Sequence, residues 1–366
     1  MDEPRKTALH AWHAEQGARL VPFAGWVLPI QYAGGIISEH EACRNAAALF
    51  DVSHMGQVFV PGDPDAAAVA LETRVPSDLR NLPVGRAKYS VLLTDEGTVA
   101  DDLMLTRVAD GWRLVVNAAR TAADLALLEA SLPAAHRPVL RQGRSLLAVQ
   151  GPLAERAVAA MLPEVEELTF LDGRECFLEG QPVFVSRLGY TGEDGFEFDL
   201  PDALAMPFAT RLQRDTRVTP AGLGARDSLR LEAGLCLYGH DIDTTVNPAA
   251  AGLGWVVSKR RREAKDFPGA EAVVAEIASG AAQRFVGMTL EGRLPAREGA
   301  VVFAGDEAVG RVTSGGFAPS LGHPIAMGYV DAEHATPGTA LGLQVRRHVV
   351  NATVTKLPFV PHRYHR

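Results

Sequence analysis

The pattern of apolar residues changes near residue 282, and this change constrains the fold more than any other feature of the sequence. Upstream, apolar runs typical of strands interleave with segments rich in Ala, Leu and Glu that favour helices. Downstream, short strands separated by Gly and Pro predict an all-β unit, with strands at Phe285 to Leu290, Gly310 to Thr313 and Leu343 to Thr355. Because 366 residues exceed the usual size of one domain, we divide the chain into residues 1–281 and 282–366.

Two hairpins are predicted in the larger part. Leu103 to Asn117 holds two apolar runs separated by Asp110-Gly111, a strong hairpin signal. In the second hairpin, Val183 to Arg187 leads through a Gly-rich turn into Phe196 to Leu200. Side chains alternate along a strand, so Glu197 points away from the apolar face of its own strand.

Five segments have helical patterns and lie between the predicted strands. They are Asp65 to Arg74, Leu153 to Met161, Asp202 to Arg214, Ala221 to Glu232 and Ala270 to Ile277. Strands and helices do not follow the regular strand-helix-strand order of a doubly wound sheet. The order therefore predicts an α+β fold.

Charge and composition exclude several classes of protein. A net charge of −8 argues against broad affinity for nucleic acid, and no apolar run approaches the roughly 18 residues that span a bilayer. Three scattered cysteines favour free thiols over a disulfide framework or a structural zinc site. One compact basic run, from Lys259 to Lys265, is either a solvated surface or a dock for an acidic partner.

Asp101 and Asp102 are adjacent acids at the predicted start of the first hairpin. Neighbouring strand residues point to opposite faces, so only one of the two can line a given pocket. The pattern alone favours acids that face solvent or cap a turn, because Asp is common at strand ends.

Arg226 and Arg230 lie four residues apart on a predicted helix and would repel each other unless an acceptor faced them. That acceptor is either an acid of the chain, Asp227 or Asp241, or a polar ligand, and the pattern does not decide between them. His54 is interpreted as a hydrogen-bonded loop residue without a catalytic role.

Four aromatic residues are candidate walls of a pocket for a flat heterocycle. They are Tyr89, Tyr190, Tyr238 and Trp255. Each one taken singly fits a core position better. Generic motifs do not help: Gly222-Leu223-Gly224 lacks the third glycine and the preceding strand of a dinucleotide site.

Seven motifs, in chain order, resemble those of one family. They are Phe23-Ala24-Gly25-Trp26, Phe50-Asp51-Val52-Ser53-His54-Met55, Asp101-Asp102-Leu103, Gly189-Tyr190-Thr191-Gly192-Glu193-Asp194-Gly195, Gly222 to Ala233, Thr313-Ser314-Gly315 and Lys356-Leu357-Pro358-Phe359-Val360. They cover nearly the whole chain. The sequence resembles the aminomethyltransferase, or T protein, of the glycine cleavage system.

This resemblance implies three domains arranged as a cloverleaf, with folate in the central hole and a β-barrel, jelly-roll-like domain at the carboxy end. In the family the second acid of the Asp-Asp-Leu motif is catalytic, which implies that role for Asp102 and leaves Asp101 outside it. Glu197 is implied to hold the pterin, and Arg226 to contact the folate. Further folate contacts are implied at Tyr89, Asn117, Tyr190, Tyr364, Met55 and Trp255.

The implied reaction transfers a one-carbon unit from the lipoyl arm of H protein. It yields ammonia, methylenetetrahydrofolate and the reduced arm; tetrahydrofolate is the co-substrate, and no metal is implied. A buried carboxylate at Asp102 would stabilise the positive charge on the methylene or accept a proton from the folate amine, and both roles stay open. H protein is the implied partner, with the basic run as a possible dock, in the bacterial cytoplasm or the mitochondrial matrix.

Two other functions are compatible with the same fold. One is a folate-dependent demethylase of a methylated nitrogen or sulfur substrate, which the match along the whole chain disfavours. The other is a folate-binding protein of iron-sulfur maintenance, whose Lys-Gly-Cys-Tyr signature is missing here. One position departs from the T-protein pattern: Thr98 replaces a glycine before the Asp-Asp-Leu motif, and we expect a slightly altered approach of Asp102.

Overall fold

Two sheets and a closed barrel form the framework of the protein, and the computed structural model describes residues 3–366. In spatial order, the six-stranded sheet consists of Gly173–Leu178, Gln181–Ser186, Gly195–Pro201, Arg144–Gln150, Ala47–Asp51 and Val218–Pro220. The five-stranded sheet consists of Ala87–Leu93, Val99–Val108, Gly111–Val116, Gly56–Pro61 and Val139–Leu140. A small amino-terminal sheet contains Arg5–Lys6, Trp26–Gln31 and Arg19–Phe23.

The carboxy-terminal strands close into a barrel, which confirms the predicted β unit. Its strands, in order, are Gln283–Leu290, His323–Asp331, Glu307–Ala318, Val301–Ala304, Ala340–Val345 and His348–Thr355. The single strand predicted from Leu343 to Thr355 was wrong, because a turn at Arg346 divides it. Arg346 has a φ of 56°, a conformation that glycine adopts more easily, so its residue type gives no turn signal. The division between residues 281 and 282 stays a prediction.

Helices pack on the sheets and confirm the α+β class. The α-helices of the described residues are His10–Glu15, Gly35–Asn45, Pro64–Leu71, Thr121–Ser131, Ala154–Val158, Asp202–Gln213, Leu223–Glu232, Lys259–Ala264 and Ala270–Ser279. All five predicted helices are present. Sequence analysis missed Gly35–Asn45, whose isoleucines and polar residues hide a helical period, and Thr121–Ser131, whose Ala and Leu content favours a helix.

Both predicted hairpins are confirmed, and their register places two acids in the interior. Val99–Val108 pairs with Gly111–Val116, so Asp102 lies inside a strand and not at its start. In the second hairpin Ser186 stands opposite Glu197. Phe196, Phe198 and Leu200 all belong to one core cluster, so Glu197 points to the other face of its sheet.

The turn before Asp101 tolerates Thr98 without strain. The left-handed conformation of this turn is at Gly97, with a φ of 86°, and not at Thr98. The Thr98 amide donates to Thr94 Oγ1 at 3.2 Å, and the Thr94 amide donates to the Thr98 carbonyl at 2.9 Å. Thr98 therefore closes the turn, and the altered approach that we expected for Asp102 has no structural cause here.

Three arginines of the basic run from Lys259 to Lys265 donate hydrogen bonds to other parts of the fold. Arg261 is only 1% exposed and donates to Asp266 and to the carbonyl of Glu72. Arg260 contacts Glu72 and, at 3.1 Å, Asp78. Of the predicted dock, Lys259 remains fully exposed, so this helix is chiefly an anchor to the Glu72 region. No helix among residues 3–366 has the length and apolarity that crossing a membrane requires.

We predict that Arg261→Ala lowers the free energy of unfolding by about 3 kcal/mol, because it empties the space of a large buried side chain and leaves the carbonyls of Glu72 and Val75 without its hydrogen bonds. Lys259→Ala on the same helix is the control, since its side chain is 92% exposed and its change should fall within about 0.5 kcal/mol. Denaturant unfolding measures both. Equal stability of the two variants would contradict the anchoring role.

Candidate active site

Asp102 lies on the strand Val99–Val108 of the five-stranded sheet, and both of its carboxyl oxygens accept hydrogen bonds. Its Oδ2 accepts from the Tyr89 hydroxyl at 3.0 Å, and its Oδ1 accepts from Asn117 Nδ2 at 2.7 Å. Burial, together with the nearby charge of Asp101, raises the pKa of Asp102 to about 7. The carboxyl group therefore changes charge near neutral pH, as a general base or a charge stabiliser requires.

Asp101 points to the opposite side of the strand, but it is not separate from Asp102. It is fully buried and accepts from the Asn117 amide nitrogen at 3.2 Å and from Asn117 Nδ2 at 2.9 Å. A single side-chain amide thus contacts both acids. Alternation correctly predicted that the two side chains point to opposite faces of the strand, but it could not predict that Asn117 contacts both of them.

Glu197 and Arg226 face each other across the second part of the pocket. Glu197 lies on Gly195–Pro201 and Arg226 on the helix Leu223–Glu232. Burial raises the pKa of Glu197 and lowers that of Arg226, and each charge partly offsets the other's shift. No side-chain donor among residues 3–366 bonds the Glu197 carboxylate, and Arg226 Nη1 is buried without an acceptor. Both groups are therefore available to a ligand.

Arg230, one helical turn beyond Arg226, has a structural role. Its Nη1 donates to Asp241 Oδ2 at 2.8 Å, its Nε to Asp227 Oδ1 at 2.9 Å, and its Nη2 to Ser314 Oγ at 2.8 Å. The two arginines therefore differ in their acceptors. Arg230 donates to Asp227 and Asp241, whereas Arg226 donates to neither acid.

Two contacts of aromatic rings border the site: Tyr89 stacks on Trp255, and Arg226 lies over Tyr190. Tyr89 stacks on Trp255 with ring centroids 5.7 Å apart, and Trp255 remains 61% exposed. The guanidinium of Arg226 lies 4.9 Å from the ring centre of Tyr190, whose hydroxyl donates to the Cys236 carbonyl. The charges of Asp102 and Arg226 both act on the pKa of Tyr190, so this ring lies between the two parts of the site.

Met55 and His54 form the edge of the site near a larger opening. Both line a cavity of about 530 Å³ whose other walls include Arg141 and Arg144. His54 is buried, and burial and the charge of Arg226 lower its pKa to about 4. Its Nδ1 has no partner among the described residues, so the prediction of a hydrogen-bonded histidine was wrong at that nitrogen.

Tyr364 lies in the carboxy-terminal tail. Its ring stacks on Phe170 with centroids 4.0 Å apart, and His362 lies 4.9 Å away. Tyr364 therefore belongs to this aromatic group and makes no hydrogen bond to Asp102. As a folate contact, Tyr364 stays a prediction.

Sequence analysis missed one acid beside the site, Asp124 on the helix Thr121–Ser131. Both of its carboxyl oxygens are buried without a donor among residues 3–366, next to Asp101. An acid in the first turn of a helix is normally interpreted as a solvated group that favours the helix dipole. The burial of Asp124 becomes apparent only in the folded protein, where the helix Thr121–Ser131 packs against the sheet. In the described residues, no group of three or more His, Cys, Asp or Glu side chains has metal-binding geometry.

Comparison with known proteins defines the class to which this fold and site belong. Residues 9–261 match the family model of the GCVT N-terminal domain, and residues 283–361 match that of the glycine cleavage T-protein C-terminal barrel domain. A crystal structure of the glycine cleavage system aminomethyltransferase T from Bartonella henselae superposes with a TM-score of 0.93 at 40% identity, covering 99% of each chain.

Curated relatives agree with these matches along the whole chain. The mitochondrial aminomethyltransferase of Gallus gallus is 43% identical, covering 99% of this chain and 94% of the relative. The aminomethyltransferase of Chromobacterium violaceum is 43% identical, covering 98% of each. The chain belongs to the glycine cleavage T-protein family, whose members use tetrahydrofolate as co-substrate. Its relatives include mitochondrial and bacterial proteins.

We predict opposite effects on stability for the two arginines of this helix. Arg230→Met should lower the free energy of unfolding by about 3 kcal/mol, because it leaves Asp241 buried without its cation. Arg226→Met should be neutral or stabilising, because it removes a partly desolvated charge that has no hydrogen-bonded acid. Denaturant unfolding of the ligand-free protein compares them. A larger loss for Arg226→Met would show that its charge stabilises the fold.

Proposed function

We propose that this protein is the aminomethyltransferase of a glycine cleavage system, which transfers the methylene of S-aminomethyldihydrolipoyl H protein to tetrahydrofolate and releases ammonia. The family match and the aminomethyltransferase names of its full-length relatives support this reaction. The folate, the lipoyl carrier and the residue roles below are parts of the proposal.

The observation that carries the proposal is a pair of opposite charges, Glu197 and Arg226, whose side chains have no hydrogen-bonded protein partner among residues 3–366. Leaving such groups desolvated costs stability, so a site that retains them is expected to bind a complementary ligand. A carboxylate accepts two parallel hydrogen bonds from adjacent N–H groups, which are present on a pterin ring. Arg226 offers N–H donors to a carbonyl or carboxylate of the folate. These residues fit tetrahydrofolate.

Two nitrogens of tetrahydrofolate attack the methylene carbon in turn, and each forms one carbon–nitrogen bond. The carbon–nitrogen bond to ammonia and the carbon–sulfur bond to the arm both break, and the two folate N–H hydrogens end on ammonia and on the thiol. Asp102, when ionised, stabilises the positive charge that develops on the methylene carbon. Tyr89 and Asn117 hold its two oxygens, so the carboxylate needs little reorganisation during the reaction.

We propose that the protein works in the bacterial cytoplasm or the mitochondrial matrix. A relative named as mitochondrial and a bacterial relative support this proposal. H protein is the proposed partner. The helix Lys259–Ala264 gives little support to the earlier docking surface, because Arg260 and Arg261 already bind acids of the chain.

The decisive experiment supplies tetrahydrofolate and aminomethyl-loaded H protein and measures ammonia release and methylenetetrahydrofolate. Formation of both products in equal amounts is the expected result. Absence of ammonia, together with turnover of an N-methyl or S-methyl compound in the presence of tetrahydrofolate, would favour the demethylase instead.

We predict that Asp102→Asn lowers turnover in this assay by about 10²-fold or more while folate binding is retained, because the amide cannot stabilise the cationic methylene. Asp95→Asn is the matched control, since Asp95 is exposed in the nearby turn. Ammonia release gives turnover, and a folate titration gives the dissociation constant. Similar turnover in both variants would remove Asp102 from the catalytic role.

We predict that Glu197→Gln weakens folate binding by about tenfold or more, because a charged hydrogen-bond acceptor is lost and an N–H group is placed against the pterin N–H groups. Glu175→Gln is the control, an exposed acid on the strand Gly173–Leu178 of the same sheet. Calorimetric titration with tetrahydrofolate measures both. Unchanged affinity of Glu197→Gln would assign the pterin to another acceptor.

A further inference from the structure

Three acids, Asp101, Asp102 and Asp124, form one cluster behind the pocket. Asp101 and Asp124 are fully buried, and Asp102 is partly buried. The nearest cation is Arg120, whose Nε lies 4.0 Å from Asp124 Oδ1, beyond hydrogen-bond distance. Three carboxylates in such a space cannot all be ionised, because desolvation and mutual repulsion both oppose it.

Asn117 identifies two of these acids as hydrogen-bond acceptors. Its Nδ2 group donates to Asp101 Oδ1 at 2.9 Å and to Asp102 Oδ1 at 2.7 Å, and its backbone amide donates to Asp101 Oδ2 at 3.2 Å. Amide N–H groups only donate, so both acids accept from this residue. Asp101 thus fixes the orientation in which Asn117 holds Asp102.

Asp124 completes the arrangement as a donor. Neither of its oxygens has a donor among residues 3–366, and its carboxyl lies within hydrogen-bond reach of Asp101. A buried carboxylate without donors beside a second carboxylate takes up a proton. Burial and the hydrogen bond with Asp101 accordingly raise the pKa of Asp124 to about 9.

We propose that Asp124 is a positioning residue: its protonated carboxyl donates a hydrogen bond to Asp101, which holds the Asn117 amide in the orientation that binds the Asp102 carboxylate. The inference rests on the proposed function, because the carboxylate that it positions is the catalytic one. The proton on Asp124 also removes one negative charge from the cluster, so Asp102 ionises at a lower pH than it would beside two carboxylates.

The surroundings of Asp124 define its pH dependence. Asp101 and Asp102 face it from the strand Val99–Val108, and Arg120 from the start of its own helix. Arg120 lies 5.6 Å from the ring centre of Tyr238, which burial keeps protonated with a pKa of about 12. Loss of the Asp124 proton, near pH 9, both breaks the donated bond and adds a charge that disfavours ionised Asp102. Turnover should therefore fall as the pH rises through about 9.

Two substitutions test the donated bond. Asp124→Asn keeps a side chain of the same shape with an N–H donor but has no proton to lose, whereas Asp124→Leu keeps the branching at Cγ, is larger and has no donor. We expect Asp124→Leu to lose turnover about tenfold with little change in the KM for folate, and Asp124→Asn to recover most of it. The alkaline fall near pH 9 should be absent from Asp124→Asn. Glu129→Gln, an exposed position on the same helix, is the control.

Infrared spectroscopy provides a test that does not depend on activity. The C=O stretch of a protonated carboxyl group at neutral pH should be present in the unmodified protein and reduced in Asp124→Asn. An unchanged band would overturn the proposal, as would equal turnover and pH profiles for the Leu and Asn variants. Failure of the proposed function would instead abolish ammonia release in the unmodified protein and leave the infrared result intact.

Discussion

A buried ion pair between Arg230 and Asp241 lies where the helix Leu223–Glu232 meets the barrel, and the position of Arg226 on that helix depends on it. Arg230 also donates to Ser314 of the barrel, and Thr313 donates to the same Asp241. Such a pair contributes little net stability when compared with apolar packing, but removing one partner is costly. It therefore specifies how the barrel sits against the helix more than it strengthens the fold.

Glu232, two residues further along the same helix, fixes it in the same way to the amino-terminal part. Its carboxylate accepts from Arg44 at 2.8 Å and from Ser320 of the barrel at 2.6 Å. His40, the Ser320 hydroxyl and the charge of Arg44 together lower its pKa. The helix is thus fixed on both sides by satisfied charges. Arg226, between these contacts and the pocket, is the one charge of this group that the fold leaves for a ligand.

The strand-level features of the site followed from period-two alternation. This period separated Asp101 from Asp102 and turned Glu197 away from its core, and the structure has both arrangements. Alternation says nothing about partners distant in sequence. It therefore could not assign Asp241 to Arg230, nor show that Asn117 contacts both neighbouring acids.

Charge patterns were the least informative part of the sequence. A run of basic residues is normally solvated, yet Arg261 is buried against Glu72, nearly two hundred residues earlier in the chain. In the same way, an acid in a helical first turn is normally exposed, yet Asp124 is buried because its helix covers the sheet behind Asp101. Both cases depend on tertiary packing, which no local pattern encodes.

The hairpin turn that precedes the two acids has an evolutionary consequence. Its composition can vary outside Gly97, which supplies the unusual backbone conformation, while Thr98 closes the turn by ordinary hydrogen bonds. Its distance to Asp102 is not free, because inserting or deleting one residue would exchange the two faces of the strand. Asp101 would then enter the pocket, and Asp102 would face Asp124. Substitutions can therefore accumulate in this segment, whereas its length is fixed by the alternation of side chains along the strand.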